Sequence, residues 1–191
     1  EFSGEVSYFL SVEDEEDWRM NGFPFSDNDL DMHGLEWRAM AGYGIDVQQF
    51  GRISLFGGLT GKSIELDREF DDGSKNSTEA DMYLWELELR LALPLRKEIV
   101  EVPITFESAI SYGRMIDPKA DVEGAGTIKG DFGWMFRARL GLDVEVTDRL
   151  SVYVGGFYED LKIHGGTEGL YEWADSETTA GGGEIAVRYR F

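Results

Sequence analysis

At the end of the chain, Ile185, Val187, Tyr189 and Phe191 alternate with Glu184, Ala186, Arg188 and Arg190. Successive side chains of an extended strand point to opposite faces, so this segment has one apolar face and one charged face. Chain ends of soluble proteins usually fray. An apolar face that runs to a terminal aromatic fits a strand whose outer side meets lipid and whose inner side faces a closed barrel.

The pattern recurs along the whole sequence. Phe2, Val6, Tyr8, Leu10 and Val12 oppose Ser3, Glu5, Ser7 and Ser11; Leu35, Trp37, Ala39, Ala41, Tyr43 and Ile45 oppose Glu36, Arg38, Gly42 and Gly44. Ile53, Leu55 and Leu59 oppose Arg52, Ser54, Thr60 and Lys62, with Phe56 as an exception on the polar side. Tyr83, Trp85, Leu87, Leu89, Leu91 and Leu93 oppose Glu86, Glu88 and Arg90. Val100, Val102, Ile104, Phe106, Ile110 and Tyr112 oppose Glu101, Thr105, Glu107, Ser111 and Gly113. Phe132, Trp134, Phe136, Ala138, Leu140, Leu142 and Val144 oppose Asp131, Arg137, Arg139, Gly141 and Asp143. Leu150, Val152, Val154 and Tyr158 oppose Ser151, Tyr153, Gly155 and Glu159. With the last strand this makes eight, each about the ~9–11 residues that a tilted strand needs to cross a bilayer.

The connections alternate in length. Asp46–Phe50, Pro94–Glu98 and Thr147–Arg149 are short and rich in turn formers, whereas Glu13–Gly34, Asp67–Ala80, Met115–Gly130 and Asp160–Thr178 are long and polar. Short turns on one rim and long loops on the other are the asymmetry of outer-membrane barrels, periplasmic and extracellular respectively. The expected fold is all-β: an eight-stranded antiparallel up-and-down transmembrane barrel. Residues 1–191 form its one domain, and both termini are periplasmic. The first strand starts at once, as in a mature form. No apolar run is long enough for a membrane-spanning helix.

A soluble up-and-down barrel would turn its large apolar side chains inward. Three features point the other way. The apolar face includes Trp37, Trp85 and Trp134, more than a small barrel interior can hold. The charged face mixes Glu and Arg, which can pair in a narrow lumen where unpaired charge would be prohibitive. Tyr8, Tyr43, Tyr83, Phe132, Tyr158, Tyr189 and Phe191 sit near strand ends, where interfacial girdles belong.

These features, with the Tyr-Arg-Phe ending, resemble the small eight-stranded bacterial outer-membrane barrels: the OmpA transmembrane domain, the OmpX/Ail group and the neisserial opacity proteins. The resemblance implies an outer-membrane location in a Gram-negative cell. It also implies that Tyr189 and Phe191 carry an assembly signal read by the barrel assembly machinery. Members of this class include adhesins, anchors, narrow pores and a few lipid-modifying enzymes, so fold alone does not settle function.

Charge narrows the choice. The segments Glu13–Gly34, Asp67–Asp81, Met115–Gly130 and Asp160–Thr178 carry −16 of the chain's formal −20. Such a rim repels nucleic acid and favours cations or basic partners; it also keeps a surface protein solvated. Asp27, Asp29 and Asp31 recur every second residue and could converge on Ca²⁺ or Mg²⁺ through oxygen ligands, without an EF-hand pattern. No other cofactor is indicated.

Neither histidine sits in a catalytic arrangement. His33 lies at an outer strand end, His164 precedes Gly165-Gly166-Thr167, and Ser108 falls mid-membrane on the lipid side. A charged lumen offers no housing for an acyl chain, so no enzyme is expected. In the lumen, Glu86, Glu88 and Glu107 are expected to pair with Arg90, Arg137 and Arg139 on neighbouring strands. Gly42, Gly44, Gly113, Gly133, Gly141 and Gly155 relieve crowding there. The expected function is a non-enzymatic surface interaction or scaffold protein embedded in outer-membrane lipid, with an extracellular or envelope protein as partner. The alternative is a narrow channel for small solutes or cations.

Overall fold

The computed structural model describes residues 2–20, 23–47, 51–69, 75–95, 103–122, 126–129, 132–164, 167–168, 171–172 and 175–191. The elements are β1 (Phe2–Met20), β2 (Phe23–Asp46), β3 (Arg52–Glu69), β4 (Lys75–Pro94), β5 (Ile104–Val122), β6 (Gly126–Lys129), β7 (Phe132–Glu145), β8 (Leu150–His164), β9 (Thr167–Glu168), β10 (Tyr171–Glu172) and β11 (Asp175–Arg190). Eight of them form the wall in the order β4-β3-β2-β1-β11-β8-β7-β5, and β4 pairs with β5 to close it. Every neighbour is antiparallel, and closure leaves no edge in the wall. The first and last strands meet through Ser3↔Arg190 and Val6↔Val187.

Two turns at the terminal rim are tight; Val100, Glu101 and Val102, read above as the start of a strand, lie outside the described residues. Val47 N–H donates to Gly51 O at 2.8 Å, and Gly51 takes a φ of 103°, a region open to glycine. At the next described turn, Thr147 Oγ1 accepts from the N–H groups of Arg149 at 3.3 Å and Leu150 at 3.0 Å.

The opposite rim departs from expectation. The polar segments read as long loops are largely ladder: β1 runs to Met20 and β2 restarts at Phe23, while β3 ends at Glu69 and β4 restarts at Lys75. The side-chain pattern loses its apolar face there, but the backbone pairing continues regardless. Periodicity therefore located the belt, not the strand ends.

The outer face carries a continuous apolar belt. Trp37, Trp85, Leu89 and Leu140 are exposed on it, and Phe106 and Trp134 lie half-buried on the same face. One aromatic band holds Tyr8, Trp37, Tyr83, Trp85, Tyr112, Phe136 and Tyr158; Phe2, Tyr43, Tyr189 and Phe191 form the other, near the termini. So large an exposed apolar surface is stable only against lipid. Small outward residues, Ser108, Ala138 and Gly156, leave an apolar groove of about 700 Å³ in this face.

Leu89 lies near the middle of the apolar stretch of β4 that runs from Tyr83 to Leu93. Leu89→Arg should destabilise the barrel by about 2–4 kcal/mol in lipid vesicles, measured by denaturant unfolding. A cost near zero would place that face outside hydrocarbon.

Candidate functional site

The inner face is stratified along the barrel axis. The half nearer the termini holds charge. Eight carboxylates are buried there (Glu5, Glu36, Glu86, Glu88, Glu107, Asp143, Glu159 and Glu184), with five buried cations, Arg38, Lys62, Arg137, Arg139 and Arg188. Arg90 is a sixth cation, its side chain 13% exposed.

Arginine forks tie strands across the lumen. Arg38 donates to Glu88 at 2.6 Å, to Glu5 at 3.4 Å, and from two nitrogens to Glu86. Arg139 donates to Glu5 at 2.7 Å, Glu88 at 2.9 Å and Glu184 at 3.1 Å. Arg137 contacts both oxygens of Glu36, at 2.7 and 2.8 Å, and Glu184 at 3.2 Å. Arg188 donates to Glu107 at 2.6 Å and Asp143 at 3.4 Å, and also reaches Glu5. Charge-assisted forks of this kind are the strong hydrogen bonds of proteins.

The structure regroups the pairs expected from strand adjacency. Arg90 meets Glu88 at 2.6 Å and Glu107 at 3.6 Å, and Arg139 meets Glu88. Arg137, however, pairs with Glu36 and Glu184, and Glu86 is held by Arg38 and Thr60. In a lumen this narrow an arginine arm reaches the far wall, so sequence neighbours are not the preferred partners. Glu5, Arg38, Asp143 and Glu184 are as central as the six residues singled out above. All four stand at inward positions of the period-2 pattern, the signal that could have found them.

The half nearer the outer rim is different. Phe9, Met32, Ile64, Ala80, Met82, Leu84, Met115, Met135, Phe157, Leu161, Ile163 and Ala180 form one buried apolar cluster inside the barrel. This corrects the expectation of a lumen charged throughout. These side chains occupy inward parity, so they form a layer across the bore rather than part of the lipid face. Phe9 and Phe157 meet edge to face at 5.7 Å between centroids. Lys62 Nζ lies 4.6 Å from the Phe9 ring centroid and pairs with Glu159, which marks the floor of the layer. The lumenal glycines seat large side chains: a β-carbon on Gly42 would collide with Phe56, on Gly133 with Met115, and on Gly155 with Tyr153.

At the terminal rim the bore opens into a vestibule of about 390 Å³ whose lining includes Arg52, Arg90, Arg190, Glu107, Asp143 and Glu145. Tyr189 and Phe191 stack edge to face at 4.9 Å, and Phe191 N–H donates to Phe2 O at 3.1 Å. Phe191 is 82% exposed.

At the outer rim, Asp27, Asp29 and Asp31 lie on β2 rather than in a loop, opposite Asp17, Glu15 and Asp67 respectively. The side chains of Asp27 and Asp29 are outside the described residues. Among the described residues no group of three or more His, Cys, Asp or Glu is placed to hold a metal. His33 Nε2 lies 3.2 Å from Glu65, and His164 Nδ1 lies 3.6 Å from Asp175 with its ring against Phe132.

No protein-family model matches this sequence, and no curated protein matches it either. Solved structures do. The outer membrane protein OprG from Pseudomonas aeruginosa superposes with a TM-score of 0.51 at 12% identity, over 100% of this chain and 95% of that one. Neisserial surface protein A gives 0.48 at 10% identity, over 100% and 97%, and Ail of Yersinia pestis gives 0.36 at 12%, over 99% of both chains. The chain thus has the fold of the small eight-stranded outer-membrane barrels.

Removing one member of a buried ionic network strands the others, at a cost of about 3–5 kcal/mol. Arg38→Met, which releases several carboxylates at once, should cost that much in denaturant unfolding from detergent micelles. Arg90→Met, at the edge of the network, should cost clearly less. Equal, small losses would mean that the network is hydrated and loosely held.

Proposed function

We propose that this barrel is a non-enzymatic outer-membrane protein whose acidic outer hairpins form a surface interaction or scaffolding platform, with both termini in the periplasm. The observation that carries this reading is the double seal of the bore. An arginine–carboxylate network fills one half and an apolar layer crosses the other, and an eight-stranded barrel is just wide enough for side chains to fill. What remains free to act is the rim. There the ladder projects beyond the belt and places Asp31 opposite Asp67 and Glu65 opposite Glu79, all four exposed.

Orientation follows from the same asymmetry. The tight turns and both termini share one rim, as on the periplasmic side of outer-membrane barrels. The absence of an enzyme is supported by the two histidines: each faces a carboxylate on the outer wall, and Ser108 stands on the lipid face of β5. The basic partner suggested by the rim charge is an extracellular or envelope protein. During biogenesis the barrel assembly machinery would read the strand that ends at Tyr189 and Phe191.

A narrow channel is the competing function, favoured by the vestibule that enters the charged half from the terminal rim. Planar-bilayer recording decides between them. The platform reading expects no stepwise conductance, and sustained unitary currents would replace it with the channel. Vesicles carrying the barrel should also retain poly-lysine in a salt-sensitive way, and that retention should fall when Asp31, Glu65, Asp67 and Glu79 are neutralised to Asn or Gln. The assembly proposal has its own test. Phe191→Ser should lower outer-membrane levels in cells while changing unfolding in detergent by no more than about 0.5 kcal/mol, the usual range for exposed sites.

A further inference from the structure

Met32, Met40, Met82, Met115 and Met135, five of the chain's six methionines, are buried on the inner face of the barrel; the side chain of Met20 is outside the described residues. Met82, Met115 and Met135 stand on the adjacent strands β4, β5 and β7, within the apolar layer. Met115 and Met135 interlock with glycines: Met115 Sδ occupies the space a β-carbon of Gly133 would need, and Met135 Cε lies 3.6 Å from that position on Gly113. Met32 completes the layer from β2. Thioethers are weak hydrogen-bond acceptors and poor ligands for hard ions, but they bind soft monovalent metals well.

A second observation concerns charge. The buried lumen holds eight carboxylates against six cations, counting Arg90, and Arg190 at the terminal rim offsets one more by pairing with Asp143 at 3.1 Å. One carboxylate stands at the layer itself. Glu159 is flanked on the inner face of β8 by Phe157 and Leu161, both members of the apolar cluster, and its ladder partner Arg137 is two residues from Met135. Lys62 holds Glu159 Oε1. Glu159 Oε2 is buried with no hydrogen-bond partner, with Arg137 Nε 3.7 Å away.

We propose that the methionine layer, with Glu159 at its floor, is a binding site for a soft monovalent cation of the Cu(I) or Ag(I) class. Sulfur supplies the ligands, and the unpartnered oxygen of Glu159 supplies the nearest negative charge. The acidic outer rim raises the local concentration of cations above the site. Hard ions such as Na⁺ or Ca²⁺ are excluded because thioether sulfur does not replace their hydration shell.

The test uses the refolded barrel in detergent, titrated with silver nitrate in chloride-free buffer. Calorimetry should find saturable uptake of about one Ag⁺ per barrel, and X-ray absorption should show a sulfur shell around silver. Methionine-to-leucine replacement preserves volume, so the triple variant M82L/M115L/M135L should keep its heat-modifiable mobility and lose affinity at least tenfold. Glu159→Gln should weaken uptake in the same direction, whereas Met40→Leu, outside the layer, should leave it unchanged. Should the triple variant not refold, Met115→Leu and Met135→Leu are read singly against the same criterion. Equal uptake by wild type and the leucine variants, or no saturable uptake at all, overturns the site. These outcomes do not depend on bilayer conductance, so the platform reading stands or falls separately.

Discussion

A guanidinium planted across the axis is the interaction on which the rest of this barrel depends. Arg38, on β2, reaches Glu86 and Glu88 on β4 and Glu5 on β1. Arg139, on β7, meets two of the same carboxylates from the opposite wall. The strands so joined are up to 134 residues apart in sequence, so the network ties together what the meander's local hairpins cannot. Lysine would not serve as well: a planar fork with five donors can satisfy several carboxylates at once, whereas an ammonium acts as a point charge. Burying these ions costs several kcal/mol each before pairing. The outer face explains why the cost is tolerated. With Leu, Trp and Phe committed to lipid, polar side chains have only the lumen to occupy, and there they must find one another.

The apolar layer follows from the same economy of space. Above the level of Glu36 and Glu86 the bore no longer needs ions, and Phe9, Leu84, Met135 and Phe157 fill it with matter that leaves no donor unpaired. The boundary is sharp. Lys62 faces the Phe9 ring on one side and Glu159 on the other, so one ammonium serves both halves. A water file through such a bore would have to displace an ion network and then cross hydrocarbon. Those are independent obstacles, and a substitution that loosens one leaves the other closed.

Much of this was legible in the sequence, and the limits are instructive. Alternation identified the strands, their outer faces and the closed all-antiparallel wall, because a period of two is imposed by the backbone and read directly from residues such as Tyr83 to Leu93. Partner choice in the lumen was not legible. Arg137 and Glu36 are 101 residues apart, and only the width and tilt of the finished barrel bring them together. The apolar layer was overlooked for a different reason. Met82, Leu84, Met115 and Met135 share parity with glutamate, glycine and arginine, but their hydrophobicity makes them look like part of the lipid face. Phe56, noted as an exception on β3, was the clue: inward parity outranks hydrophobicity, and its ring lies under Arg90 at 4.7 Å. Strand ends were the least legible feature, since the polar sequence beyond the belt carries no period of two while the ladder continues.

The outer hairpins raise a question that folding alone does not answer. Carboxylates directly opposite one another on adjacent strands repel, at a cost comparable to what an opposite-charge pair would contribute. Yet Asp31 faces Asp67 and Glu65 faces Glu79 in the register that the barrel sets below them. Within this patch His33 lies 3.2 Å from Glu65. Elsewhere on the same rim the register pairs residues of opposite charge, Glu69 with Lys75 and Glu177 with Lys162. The like-charge pairs Asp31/Asp67 and Glu65/Glu79 are therefore a local feature of the rim, and they give that part of it a negative potential. The sealed bore beneath supplies the rigidity that holds those repelling strands in register.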